Sequence, residues 1–258
     1  MTDLVGHSAF IARRHLMHVV RQPWLIAINL VQPFLWLLLF SVTFNRISDI
    51  PGFVDSNYAQ FFLPGLIVMS VLLASGWNGL SVLGDMERGT MDRLLASPVR
   101  RQALIIGPLL QQTLGSLVPT AILIGIGYAL GARFQGGIVG LVVMITALSA
   151  ISAALSAFSH TVAMLLRREE SLIAMVNFIV MPLTFLSTAF MPANLVPGWV
   201  AVAMNFNPVN WAVQLCRDAF SGSLEAGPSA VRMGLLCALA AGSMAAAHGA
   251  VNRYRRKA

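Results

Sequence analysis

Long apolar blocks separated by short charged or turn-rich stretches dominate the chain. Six blocks reach membrane-spanning length: 24–44, 58–83, 102–130, 138–166, 171–190 and 231–251. A helix of about 20 apolar residues crosses a ~30 Å hydrocarbon core. Barrel strands alternate in apolarity, and these blocks do not. The pattern predicts an all-α integral membrane protein with six transmembrane helices, organised as a single domain over 1–258. Pro108, Gly115 and Pro119 interrupt the third block and predict a kink there. The fourth block carries Ser149, Ala153 and Ala157, with Ser152 and Ser156 beside them. Small residues at this spacing let two helices approach closely in lipid.

The segments between the blocks differ in kind. Residues 5–22 place Val5, Ala9, Ala12, Leu16 and Val19 on one helical face and His7, Arg14, His18 and Arg21 on the other. That amphipathic segment predicts a helix lying at the membrane surface, with Pro23 bending the chain into the bilayer. Gly131–Gly137 predicts a tight turn. The stretch 84–101 is charged at Asp85, Glu87, Arg88, Asp92 and Arg93, too many charges for hydrocarbon. It predicts a short helix in water, with Met91, Leu94 and Leu95 clustered and Ser97-Pro98 ending it. Such a stretch is either an ordinary solvated loop or a handle for a soluble partner.

Residues 191–228 are too rich in proline for a span, with Pro192, Pro197, Pro208 and Pro228, yet too apolar for a water loop. Trp199 and Trp211 suit the membrane interface. This segment predicts short re-entrant helices between the fifth and sixth spans.

Composition agrees with the pattern. The chain is 57% hydrophobic and only 10% charged, against about 25% charged in soluble domains. Its net charge of +7 is topological and does not point to nucleic acid. Thirteen of the seventeen Lys and Arg fall in the N-terminal segment, 84–101, Arg167-Arg168 and the tail. Only Arg46, Arg133, Arg217 and Arg232 fall on the other side. Basic loops stay in the cytoplasm, so both termini are expected there.

The spans hold no Asp, Glu, Lys or Arg in their interiors, which disfavours an ion-coupled carrier. The sequence has no GxxxxGK[ST] loop, and its one lysine is Lys257. If ATP drives this protein, another polypeptide binds it. No HExxH or GxSxG stands on the chain, and Ser187 and Ser221 are isolated. His160 and His248 have no acidic neighbour in their spans and read as packing residues. Asn29, Gln32, Asn78 and Asn177 either line a cavity or bond neighbouring helices.

Two segments carry a resemblance. Glu87–Arg101, ERGTMDRLLASPVRR, is similar to the cytoplasmic motif of type-2 ABC exporter permeases, the group that includes daunorubicin-resistance and nodulation-factor export permeases. Phe185–Phe220 resembles the signature after that family's fifth span. The resemblance implies a non-enzymatic permease subunit of an ATP-driven exporter. It makes Glu87, Arg88, Gly89, Thr90, Asp92 and Arg93 a coupling helix for a cytosolic ABC ATPase, with Leu94 and Leu95 packing beneath. It makes Pro192, Pro197, Trp199, Pro208 and Trp211 part of an external re-entrant segment. It draws a substrate path near Met69, Leu73, Asn177, Phe178 and Phe185, at a two-fold interface with a second permease copy or a sister permease. Two ATPase copies are implied, with ATP and Mg on those chains and no cofactor or metal on this one. A Met- and Phe-containing path suits amphipathic drugs or lipids without excluding a glycan. A membrane scaffold that docks a cytosolic protein through 84–101 is the competing reading.

Overall fold

The computed structural model describes residues 23–44, 57–89 and 101–255, with the side chains of 30–44, 57–89 and 112–251. The surface segment 5–22, most of the loop 45–57, residues 90–100 and Lys257 lie outside the described residues. Among the described residues every regular element is helical. In chain order these are α1 (Pro23–Thr43), α2 (Tyr58–Gly76), α3 (Gly79–Glu87), α4 (Arg101–Ala129), α5 (Gly137–Leu166), α6 (Glu169–Phe185), α7 (Gly198–Asn205), α8 (Pro208–Ser221) and α9 (Ala226–Arg255). A 3-10 turn at Ala193–Leu195 precedes α7.

Among the described residues four segments are long and apolar enough to cross a membrane: Tyr58–Glu87, Gln112–Ala129, Gly137–Leu166 and Ala226–Val251. Leu30–Thr43 forms a shorter apolar helix. Two sequence expectations need correction. The second span is not one helix: it breaks at Trp77–Asn78 into α2 and α3. The fifth stops at Phe185 rather than Phe190, where the side chain of Asn207, the residue before α8, takes the Leu183 carbonyl and that of the capping Leu186. α4 is helical throughout Arg101–Ala129, Pro108, Gly115 and Pro119 included. Elsewhere the pattern was legible: the 191–228 segment does fold as short helices, α7 and α8.

α5 is the hub, packing against α9, α8, α2, α3, α4 and α6. Its small residues permit this. A β-carbon on Gly140 would collide with the backbone carbonyl of Ala219, so α8 and α5 meet backbone to backbone. Gly65 sits against Ala189 in the same way, with a β-carbon 2.8 Å from the Ala189 α-carbon.

One end of the bundle is densely tied. Asn57 caps α2 by accepting from the Ala59 N–H at 3.0 Å, and its Nδ2 donates to the Leu130 carbonyl at 3.0 Å. Gln60 exchanges two bonds with the Arg133 backbone, at 2.9 and 2.6 Å. The Tyr58 hydroxyl donates to Phe190 O at 2.9 Å, and Gln135 N–H to Phe220 O at 2.8 Å. The start of α2, the 130–136 loop, the 186–190 turn and the end of α8 are thus gathered together. The opposite end carries Glu87, Arg88 and the α5–α6 turn at Arg167 and Arg168. Glu169 and Glu170 in the first turn of α6 suit the positive end of its dipole.

Candidate functional site

The first candidate is the end of α3. Glu87 is its last residue, and Gly89 follows with φ +65, a left-handed conformation that ends the helix cheaply in glycine. Gly89 N–H bonds the Met86 carbonyl at 3.1 Å, and Arg88 N–H the Gly84 carbonyl at 3.1 Å. Glu87 and Arg88 are exposed, while Met86 packs on the core. The exposed charged end at Glu87 and Arg88 is therefore continuous with a helix seated in the bundle. Thr90, Asp92, Arg93, Leu94 and Leu95 lie outside the described residues.

The proposed path residues fall in two sets. Met69 and Leu73 are half-buried on α2 and pack against the core. Asn177, Phe178 and Phe185 stand exposed on α6, Phe178 at 79% and Phe185 at 61%. α6 buries only Leu172, Val176, Val180 and Thr184, one stripe at four-residue spacing. Ser171, Ile173, Ile179 and Leu183 flank that stripe half-buried, and the opposite face, Met175 and Met181 included, is exposed. Phe185 stacks on Phe190 with centroids 5.4 Å apart, and Phe190 joins a ring cluster with Phe40 (5.7 Å) and Phe62 (5.8 Å).

The third candidate is the segment after α6. Pro192 and Pro197 flank the 3-10 turn, and Pro208 is the first residue of α8, where its missing N–H costs nothing. Trp199 (71% exposed) and Phe206 (78%) project from α7 and its end, and the Trp211 Nε1 donates to Asn205 O at 2.7 Å. What binds this segment together was not visible as a motif in the sequence. The Asn207 Oδ1 caps α8 through Val209 N–H at 2.9 Å, while its Nδ2 donates to Leu183 O and Leu186 O, both at 2.6 Å. Asn210 accepts from the Thr188 N–H (2.9 Å) and hydroxyl (2.7 Å) and donates to Met204 O (2.9 Å). Arg217 donates to Thr188 O at 2.6 Å and to Phe61 O at 3.4 Å. The Asp218 carboxylate accepts from Arg232 at 2.9 Å. Burial raises the Asp218 carboxyl above its ordinary range, and the Arg232 and Arg217 charges pull it back down.

The sequence also underrated the serines of α5. Ser152 Oγ lies 2.8 Å from Ser75 Oγ, and Ser156 Oγ accepts from Asn78 Nδ2 at 3.4 Å. Ser159 Oγ accepts from the Gly79 N–H at 3.0 Å and donates to the Gly76 carbonyl. All three reach the α2–α3 break. Asn78 therefore bonds a neighbouring helix, and His160 is buried beside it, 2% exposed.

A family profile described as ABC-2 type transporter matches residues 9–221. The chain belongs to that family. This makes it a membrane transporter permease subunit, non-enzymatic like its transport-permease relatives. It is 27% identical over 214 residues to the transport permease ycf38 of Cyanophora paradoxa, covering 83% of this chain and 73% of that one. It is 29% identical over 195 residues to the daunorubicin resistance ABC transporter permease DrrB1 of Streptomyces coeruleorubidus, covering 75% and 67%. The inner membrane transport permease YadH of Escherichia coli K12 is 27% identical over 219 residues, covering 75% and 76%. The ABC-2 match spans α1 to the end of α8, so it takes in both the α3 handle and the asparagine-tied segment.

Proposed function

We propose that this ABC-2 permease is the membrane half of an ATP-driven exporter. Two copies, or one copy with a sister permease, form the pathway, and two copies of a separate cytosolic ABC ATPase bind ATP and Mg and drive it. α1 and α6 complete six spans with the four long ones, and both termini face the cytoplasm of a bacterial inner membrane. Glu87, Arg88 and the stretch to Leu95 dock on the ATPase. Residues 191–228 form the external re-entrant segment. The substrate is an amphipathic drug, lipid or glycan, a class to which the Streptomyces relative's name lends support.

The observation that carries this reading is the continuity of the handle with the bundle. Helix α3 runs from Gly79, packed on Ser159 of α5, to the exposed Glu87–Arg88 end. A push on that end is delivered to packed helices rather than absorbed by a loose loop.

Co-expression with ATPases encoded beside this chain tests it. A partner that co-purifies, and whose ATPase activity in the complex falls at least fivefold with Glu87→Ala/Arg88→Ala, supports coupling through α3. A complex that forms but never turns over favours the scaffold. No complex with any ATPase removes the exporter reading.

A further inference from the structure

We propose that the Trp77–Asn78 break is a hinge, clasped by the Ser159 hydroxyl, about which α3 turns relative to α2. The proposal rests on the permease reading above and names the place where movement of the handle enters the bundle.

The hydrogen-bond register changes at the break. Asn78 N–H bonds Ser75 O at 3.3 Å, Leu80 N–H bonds Trp77 O at 3.0 Å and Ser81 N–H bonds Asn78 O at 3.3 Å, each three residues back instead of four. The Gly79 N–H and the Gly76 carbonyl instead meet Ser159 Oγ, one as donor and one as acceptor. A side chain from another helix thus stands in for helix bonds at the discontinuity. Unmatched backbone groups are severely penalised within hydrocarbon. A regular helix bond fixes the angle between its two groups. A hydroxyl that serves both groups rotates about its own Cβ–Oγ bond, and keeps both satisfied while the angle between α2 and α3 changes.

The two arms of the break are held very differently. Fourteen of the nineteen residues of α2 are buried, against three of the nine of α3. Gly65 and Gly76 lock α2 against Ala189 and Val176. Beyond Gly79, Val82 and Leu83 nothing in α3 is fully buried, and a β-carbon on Gly84 would meet nothing within 4 Å. The upper arm is almost wholly buried and the lower arm only partly so, with Leu80 and Met86 packed against the core, and the pivot lies where the bonds are handed to Ser159. Gly79 has to be glycine for this clasp: a β-carbon there would lie 2.7 Å from the Ser159 carbonyl.

The test uses the full permease–ATPase complex in lipid nanodiscs, in a Cys237→Ser background that leaves only the buried Cys216. One spin-label pair, Gly84→Cys with Leu165→Cys, reports α3 against α5. A second, Ser70→Cys with Val142→Cys, reports α2 against α5. Trapping the ATPase with ATP and vanadate is expected to move the first distance by roughly 2 Å or more, the size of helix shifts in known switches, while the second stays within about 1 Å. Ser159→Ala is expected to cut the first shift by at least half. The hinge is overturned if both distances move together, if neither moves while ATP is hydrolysed, or if Ser159→Ala keeps the full shift. The wild-type comparison decides the matter even where Ser159→Ala fails to assemble. A permease that binds no ATPase loses the exporter reading and the hinge together, whereas coordinated motion with turnover removes only the hinge.

Discussion

Arg217 of α8 lies over the ring of Phe61 on α2, its guanidinium carbon 3.9 Å from the ring centroid. The same guanidinium donates to the Thr188 carbonyl at 2.6 Å and hydroxyl at 3.2 Å. One side chain therefore ties α2, the turn after α6, and α8. Arginine suits the task because its planar fork serves several acceptors while stacking on a ring. Arg217→Ala is expected to destabilise the protein by about 2 kcal/mol, the usual range for charged hydrogen bonds. Arg217→Lys recovers only part of that loss, since an ammonium cannot reproduce the fork. Thermal unfolding of the purified permease, followed by tryptophan fluorescence, checks the order wild type, Lys, Ala.

Asn207 works as both donor and acceptor, so its isosteres separate the two roles. Asn207→Ala loses the cap of α8 and the bonds to Leu183 O and Leu186 O, and is expected to cost about 2 kcal/mol. Asn207→Asp keeps the cap acceptor yet turns a second oxygen toward those two carbonyls. It is expected to be no more stable than the alanine variant. An aspartate variant with wild-type melting behaviour would contradict the assigned bonding.

Two glycines on different faces make a controlled pair. Gly140→Ala forces a methyl into the Ala219 carbonyl, and is expected to separate α5 from α8 and lower the yield of folded protein several-fold. Gly234→Ala on α9 meets nothing within 4 Å and gains helix propensity of about 0.5–1 kcal/mol. Comparing detergent-extracted monodisperse yield for the two variants reads the difference directly.

The open face of α6 bears on the two-fold arrangement proposed above. Phe178→Cys in the Cys237→Ser background is expected to form a disulfide-linked pair of permease copies under mild oxidation, seen as a doubled mass on non-reducing gels. Ile138→Cys, equally exposed at 82% but on α5, is expected to stay monomeric. Equal cross-linking at both positions, or none at Phe178, removes α6 from the interface.

Much of the architecture was legible because hydrocarbon length and charge cost act on every residue of a span. That is why 138–166 predicted α5 to within a residue, and why the proline-rich 191–228 read as short helices. The misses share one cause. The chain through Trp77 and Asn78 is apolar enough to pass for an unbroken span, and that apolarity outweighed the turn-prone pairs Ser75-Gly76 and Asn78-Gly79 that flank the break. The break is stabilised by Ser159, eighty residues away from Gly79 in sequence. Likewise, Phe185 ends α6 because Asn207 takes the carbonyls of Leu183 and Leu186, and the apolar pattern runs on past that point. Of the candidate site residues, the exposed charges at Glu87 and Arg88 were legible from their cost in lipid. The roles of Asn207, Asn210 and Arg217 were not, since a lone Asn or Arg in a polar stretch carries no spacing signal.

By itself the sequence determined that this chain lives in a membrane, where its apolar helices begin, and that a charged stretch follows the second of them. Those properties follow from solvation, which each residue meets on its own. Only the tertiary structure decided which backbone groups lack a helical partner and which distant side chain supplies one. Hydrogen bonds are directional and short, so the pairing of Ser159 with Gly76 and Gly79 exists only once α5 lies against the break.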